Sequence, residues 1–397
     1  MFSISTPAQQ KSDNGFNFKW NNGFNLVSSD KNFNLKFGGR IQLDHAFLSQ
    51  DDDLDFVFGE LPASSGIEFR RARFFMSGTI YNNVSFKLQF EYAGGKTVFK
   101  DAYIGLKDIP LVGNLRIGHV KEPFSLDALT SSKYNTFMER GMPYLFTLGR
   151  NTGILFFNDF LDKRLSIQTG LFRETDNTNG NIMVSNGGYS FTTRITSLLF
   201  NNKKDRKLVH IGAAYSYRKP DAKNYGISTR PEAHLSPFKY ISIGTIDDVN
   251  KIHVLNFEAA VVVKSFAFQA EYFESNVHTL IANQKETYNF SGYYAEVSYF
   301  LTGESKAYKN SYSGFGRVKP NKNYGDTRGS GAWEIALRIS NVDLNSKTIE
   351  GGQQSDITLG LNWYLNPATG FTFNNVWANV KGLGNANIMQ VRFQIDF

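Results

Sequence analysis

Asn387-Ile388-Met389-Gln390-Val391-Arg392-Phe393-Gln394-Ile395-Asp396-Phe397 closes the chain. Met389, Val391, Phe393, Ile395 and Phe397 hold the odd positions, and Gln390, Arg392, Gln394 and Asp396 hold the even ones. Strand side chains alternate between two faces, so this segment has one apolar face and one polar or charged face. In a soluble sheet the apolar face would meet a core. In an outer-membrane barrel it would meet lipid, with the polar face turned to a wet lumen. How often the pattern recurs decides between the two.

It recurs along the chain. Phe33, Leu35, Phe37, Ile41, Leu43 and Phe47 lie opposite Asn34, Lys36, Arg40, Gln42 and Asp44. A second strand over 67–81 turns Ala72, Phe74, Met76 and Ile80 outward, and Arg71, Arg73, Ser77 and Thr79 inward. After an Asn82-Asn83 turn, Val84, Phe86, Leu88, Phe90 and Tyr92 face away from Lys87, Gln89 and Glu91. Similar segments near 97–106, 114–121, 151–158, 164–173, 188–200, 207–217, 252–263, 265–274, 290–301, 332–343, 355–365, 369–380 and 387–397 bring the count to sixteen. That number is even, as closure of an antiparallel barrel with both termini on one side requires, and it is large enough to leave an aqueous channel. Links 48–66, 122–150, 174–187, 218–251, 275–289 and 344–354 are mostly long and are assigned to the extracellular side. Those at 82–83, 107–113, 159–163, 201–206, 264 and 366–368 are short periplasmic turns, with 302–331 the one long exception. The expectation is an all-β transmembrane barrel over 33–397, preceded by a loose periplasmic leader over 1–32 that is rich in Asn, Gly and Ser.

Composition agrees. The 397 residues include 36 Phe and 19 Tyr but only 4 Trp, and mean hydropathy is −0.33. No run of about 18 apolar residues exists to make a spanning helix, whereas a barrel strand needs only about 9–11 residues and hides half of them in the lumen. Cysteine is absent, which excludes disulfides and thiolate chemistry. The start at Met1 has neither a basic cluster nor a long apolar run, so an export signal is expected to have been removed. The six histidines are scattered without ligand spacing, and no Ser/His/Asp set, phosphate-cradling glycine loop or nucleic-acid motif is found. The reading is therefore no enzyme, no cofactor, no metal and no nucleic acid. Asp51-Asp52-Asp53-Leu54-Asp55 has carboxylates that would suit a hard cation, but it reads better as a solvated loop tip.

Leu115-Arg116-Ile117-Gly118-His119-Val120-Lys121-Glu122-Pro123-Phe124, leading into Thr136-Phe137-Met138-Glu139-Arg140, has spacing that fits no generic strand. With Gly331-Ala332-Trp333-Glu334 and Leu359-Gly360-Leu361-Asn362-Trp363-Tyr364-Leu365-Asn366-Pro367, it resembles the phosphate-selective porin O and P family of Gram-negative outer membranes, from about Phe33 to Phe397. The resemblance implies a homotrimer of sixteen-stranded barrels in outer-membrane lipid. It also implies inward-folded loops and cations that draw small anions, phosphate above all, through the pore.

The residues support much of this. Arginine presents a fork of N–H groups that matches phosphate oxygens, and lysine a compact mobile charge. Parity turns Arg40, Arg71, Arg73, Lys87 and Arg116 inward, with Lys36, Arg194, Arg338 and Arg392. Arg71 and Arg73, two apart on one face, lead the candidates. The other role open to each arginine is to brace the wall by pairing with Glu91, Asp101, Glu258, Glu271, Glu296 or Glu334. Pro123 ends strand pairing, and in the family this third loop bends into the barrel, making Lys121, Lys133, Glu139 and Arg140 eyelet candidates; the other reading is solvated loop charges or loop anchors, with Glu139 and Arg140 pinning the loop to the wall. The long periplasmic link carries Arg317 and Lys319 and reads as a cationic funnel folded back toward the pore. The alternatives are a weakly selective general porin of the same fold, or a loop-plugged barrel serving an outer-membrane assembly.

Overall fold

The computed structural model describes residues 15–20, 23–147, 149–175, 179–181, 187–281, 284–310, 312 and 314–397. Sixteen antiparallel strands form the wall: β1 (Phe33–Gln50), β2 (Ser65–Ile80), β3 (Val84–Glu91), β4 (Val98–Ile109), β5 (Gly113–Lys121), β6 (Arg150–Phe160), β7 (Leu165–Arg173) and β8 (Tyr189–Asn202), then β9 (Lys207–Lys219), β10 (Val249–Val263), β11 (Phe266–Ile281), β12 (Gln284–Phe300), β13 (Ala332–Ser346), β14 (Ile349–Asn366), β15 (Thr369–Val380) and β16 (Gly384–Asp396). Each pairs with the next, and β16 pairs with β1 from Asp396↔Arg40 to Ala386↔Gln50, which closes the barrel.

Burial is inverted relative to a soluble protein. Arg194 and His210 are fully buried, while Leu171 is 64% exposed and Phe257 54%. Inward-facing polar groups and an outward apolar band are stable together only if lipid takes the place of water outside. At the periplasmic end an aromatic row marks the membrane boundary. Trp333, Trp363, Phe371 and Phe393 are direct cross-strand partners on β13–β16, with ring centroids 5.0, 5.9 and 4.9 Å apart in sequence.

The closing seam depends on Gly38 and Gly39. Phe397 exchanges backbone hydrogen bonds with Gly39, at 2.7 and 3.2 Å. A Cβ on Gly39 would stand 2.7 Å from both the Arg73 carbonyl and the Phe397 ring, closer than side chains tolerate. Gly39→Val is therefore expected to lower the yield of folded barrel several-fold. The heat-modifiable gel migration of refolded protein measures this, and equal yields would show that the seam yields freely.

Two features depart from expectation. The links at 275–289 and 344–354 are not loops: pairing in β11–β12 runs to Ile281↔Gln284, and in β13–β14 to Ser346↔Ile349. Backbone ladders do not require an apolar face, and these hairpins become polar where they leave the lipid. The acidic run is helical and not a loop, although Asp52 and Asp53 are exposed to solvent. Asp51 caps a helix over Asp52–Phe58, accepting from the Leu54 N–H at 3.1 Å, and also accepts from Asn385. Within the expected leader, Phe16–Trp20 and Phe24–Ser28 form a hairpin whose second strand pairs with β1 at 34–37. Residues 1–14 lie outside the described residues, as does the expectation drawn from Met1.

Candidate functional site: a cationic, one-sided lumen

Three links enter the barrel. The third extracellular link, 122–149, carries a short helix (Leu126–Leu129) and a 3₁₀ turn (Met142–Phe146). Glu271 of β11 receives the N–H groups of Leu126 (3.1 Å) and Asp127 (2.8 Å). Further along, Asn374 accepts from Met138 N–H at 2.8 Å, and Asn362 donates to Thr136 O at 2.8 Å. Link 220–248 enters from the same side, where Glu232 accepts from Arg338 Nε (2.9 Å), Ser340 and Thr358. The periplasmic link 301–331 enters from below, with Lys306 donating to Thr136 at 2.7 Å and Phe315 N–H donating to Thr130 at 3.2 Å. Loop residues Phe124, Met142, Phe146, Ile241, Ile243 and Ile246 pack in one apolar cluster with Val254, Val277, Phe290, Val342 and Val376 of the wall. Apolar side chains on the inward faces of β10–β13, β15 and β16 near the extracellular end thus hold the loops to that side.

The opposite side is open. A cavity of about 1300 Å³ is lined by wall residues of β1–β7 alone, faced by segments of the three links. Its lining contains seventeen Lys and Arg side chains against the carboxylates of Asp101, Glu139, Asp159 and Glu232. All ten candidate residues border it: Arg40, Arg71, Arg73, Lys87, Arg116, Lys121, Lys133, Arg140, Arg317 and Lys319.

Their charges are not equally available. Arg73 is paired with Glu91 and Lys87 with Asp101, which also receives Arg150 Nε at 2.8 Å. Lys133 meets Asp396 at 2.8 Å, and Arg317 pairs with the same carboxylate. Arg71 donates to Gln42 at 3.0 Å and stands 3.7 Å from Glu139. Arg140 binds the carbonyls of Asp127 and Thr130, both at 2.9 Å, and so braces the loop internally. Arg116 lies against the rings of Tyr103 (4.7 Å), Phe157 (4.7 Å) and Tyr312 (4.3 Å), and Tyr312 belongs to the periplasmic link. Among the described residues, Arg40, Arg116, Lys121 and Lys319 have no carboxylate within 4.0 Å. Lys121 donates to the Ala128 carbonyl, and Arg40 to Ser132 Oγ at 2.9 Å. Of the other inward arginines, Arg194 with Glu258 and Arg392 with Asp44 brace the wall, while Arg338 holds Glu232 of link 220–248 and Arg218 donates to the Phe146 carbonyl.

Strict alternation misses three lining cations on the wall. Pairing of β1 with β2 jumps from Gln42↔Arg71 to Leu43↔Phe69, so Arg70 is the extra residue of a bulge and reaches Glu139 in the lumen at 2.8 Å. A second jump, from Leu88↔Ala102 to Phe90↔Phe99, brings both Lys100 and Asp101 to the cavity. Bulges re-aim side chains in this way. The signal was present, since alternation would otherwise push one charge of each adjacent pair into lipid at about 2–4 kcal/mol near the midplane. Arg150 was missed because it opens β6 just outside the alternating stretch.

A closed sixteen-stranded barrel with an apolar exterior and a cation-lined lumen is an outer-membrane porin. The family model for phosphate-selective porin O and P matches residues 36–397. Porin O of Pseudomonas aeruginosa is 24% identical, over 93% of this chain and 88% of its own. Among solved structures, the anion-selective porin from Comamonas acidovorans superposes with a TM-score of 0.55 at 12% identity, covering 92% of this chain and all of its own. The trimer form of OmpT, an outer-membrane protein of Vibrio cholerae, gives 0.56 at 10% identity, covering 92% of this chain and 99% of its own. The chain belongs to the phosphate-selective porin O and P family, and it is a protein of the Gram-negative outer membrane that passes small anions.

Proposed function

We propose that this porin is phosphate-selective and trimeric, and that permeation is passive, with no catalytic step. The observation that carries the reading is the concentration of seventeen cations, many of them arginine, on the one side of the lumen that the loops leave open. An anion crossing there exchanges water for fixed N–H donors, and binds weakly enough at successive sites to leave. Membership of the family supports phosphate as the preferred anion, and the trimer form recorded for OmpT supports the assembly. Single-channel recording in chloride with added phosphate tests the reading. Block at low phosphate concentration that weakens as salt rises is the expected outcome, because screening shortens the reach of the lining charges. Open channels indifferent to phosphate would indicate a general porin, and silence from inserted protein a plugged barrel.

Arg71→Ala with Arg73→Ala is expected to weaken phosphate block about tenfold or more while the barrel still folds. Two cations are removed, and Glu91 is left in the lumen without its partner, so an anion loses attraction and gains repulsion. Unchanged block in correctly folded protein would remove both residues from the site.

A further inference from the structure

We propose that the outer face of β7–β11 holds a docking site for the phosphorylated headgroup of the outer-leaflet glycolipid, built from Arg173, Lys219, Lys251 and His278. The strand register sets these residues in one row. Arg173 is the partner of Tyr189, Tyr189 of Lys219, and Lys251 of His278, while Arg218↔Ile252 brings Lys219 abreast of Lys251. All four alternate with lumen-facing neighbours and therefore point outward. The row crosses five strands, roughly 19 Å at about 4.8 Å per strand.

Its level in the membrane fits a headgroup. Two residues nearer the midplane the outward positions are Leu171, Phe191, Tyr217 and His253, then Thr169, Thr193, Tyr215 and Leu255, then Ile167, Ile195, Ala213 and Phe257. Acyl chains would lie on the innermost, apolar row, with hydroxyls and rings above it and phosphates at the cationic one. The edge is also organised. Arg173 donates to Tyr189 OH at 2.9 Å and lies 4.5 Å from its ring, which keeps the guanidinium at the boundary. His278 is bonded through Nδ1 to Thr287 at 2.9 Å, and His253 through Nδ1 to Tyr215 at 2.7 Å. Among the described residues of β7–β11, the one acid on the outer face, Glu274, lies four residues below His278 and accepts from Asn276 at 3.2 Å.

A row of cations on neighbouring strands is particular to this arc. On β13–β16 the corresponding outer positions are Asn341, Ser355, Asn379 and Asn385, which bond to one another at 2.7 and 2.8 Å. Uncharged groups suffice for wetting there. Three cations abreast on one arc, with the His278 imidazole at their end, match a headgroup bearing more than one phosphate.

Native mass spectrometry of the purified full-length porin with diphosphoryl lipid A tests the site, against the same lipid with both phosphates removed. Wild type is expected to retain the phosphorylated lipid and to bind the dephosphorylated form weakly. Arg173→Gln/Lys219→Gln/Lys251→Gln is expected to lose affinity roughly 100-fold, at about one factor of five per basic residue near a lipid phosphate. Lys347→Gln/Lys381→Gln, on other parts of the rim, should change nothing, and phosphate block of the lumen should persist in both variants. Equal binding of the two lipids would overturn the proposal, as would full affinity in the triple variant once gel migration shows it folded. So would displacement of the lipid by millimolar inorganic phosphate, which would make the row a site for the free anion.

Discussion

Glu139→Ala is expected to release the third extracellular link from the wall, giving channels that open wider and close erratically in a barrel that still assembles. Glu139 accepts from Arg70 through two bonds of 2.8 and 3.0 Å and from Arg392 at 3.0 Å, with Arg71 at 3.7 Å. Its removal leaves three guanidinium groups facing one another without a shared carboxylate. Breaking a buried ion pair from one side costs about 3–5 kcal/mol. Most of that cost falls on the loop, because the strand ladder is untouched. Single-channel noise reports the loop, and the temperature of heat-modifiable migration reports the barrel; quiet channels of wild-type size would sink the expectation. Burial opposes ionisation of Glu139, but Arg70, Arg71 and Arg392 outweigh it and hold the carboxyl well below the usual range. A depressed carboxyl contributes its full stabilisation above the unfolded value, about 4.3, and loses it only as pH falls through the folded value. Wild-type channels should therefore stay quiet through mild acid and become noisy only below about pH 4.

Arg40→Gln is expected to weaken phosphate block by roughly 10- to 100-fold with little change in stability. Arg40 is buried beside the cavity and, among the described residues, bonds only to the hydroxyls of Ser132 (2.9 Å) and Ser131 (3.4 Å) and has an Nε–H without a partner. A charge that no carboxylate compensates is the one an incoming anion meets at full strength. A hydrogen bond to a charged group is worth about 1.5–3 kcal/mol, which is one to two factors of ten. Arg40→Lys should restore part of the block, since it returns the charge without the fork. Titration of block in single channels measures all three proteins. If glutamine leaves the block as it was, Arg40 serves the loop through Ser132 and not the anion.

Much of the wall was legible in the sequence, and less of the lumen. Alternation as clean as that of Met389 to Phe397 can be read because lipid imposes it residue by residue. Strands that continue beyond the lipid, as at Ile281↔Gln284, lose that signature and look like loops. The side of the lumen that stays open was not legible. It depends on where Phe146, Ile241 and Val342 meet, far apart in the chain, and no local pattern encodes such a meeting. Parity turned Arg71 and Arg73 inward, and both border the cavity, but it could not show that Glu91 already holds Arg73 while Arg40 meets hydroxyls. Partner choice is a matter of a few ångströms across strands. The inward turn of Arg70 could have been inferred, since a guanidinium beside Phe69 has no tenable place in hydrocarbon.

The two bulges alter the stepping distance of an ion along the wall. On a regular strand, successive lumen-facing side chains are separated by two residues, roughly 6.8 Å. Where Arg70 and Arg71 both turn inward, the interval falls to a single residue, roughly 3.4 Å. An oxyanion can then grip the next rung before it releases the last. The bulge at Lys100 and Asp101 instead sets a carboxylate beside a cation, and Asp101 holds Lys87 and Arg150. The naked intermediate between handholds, the high point of any hopping path, is shortened at the arginine pair. The same local irregularity that keeps a charge out of lipid thus smooths the track on the inside.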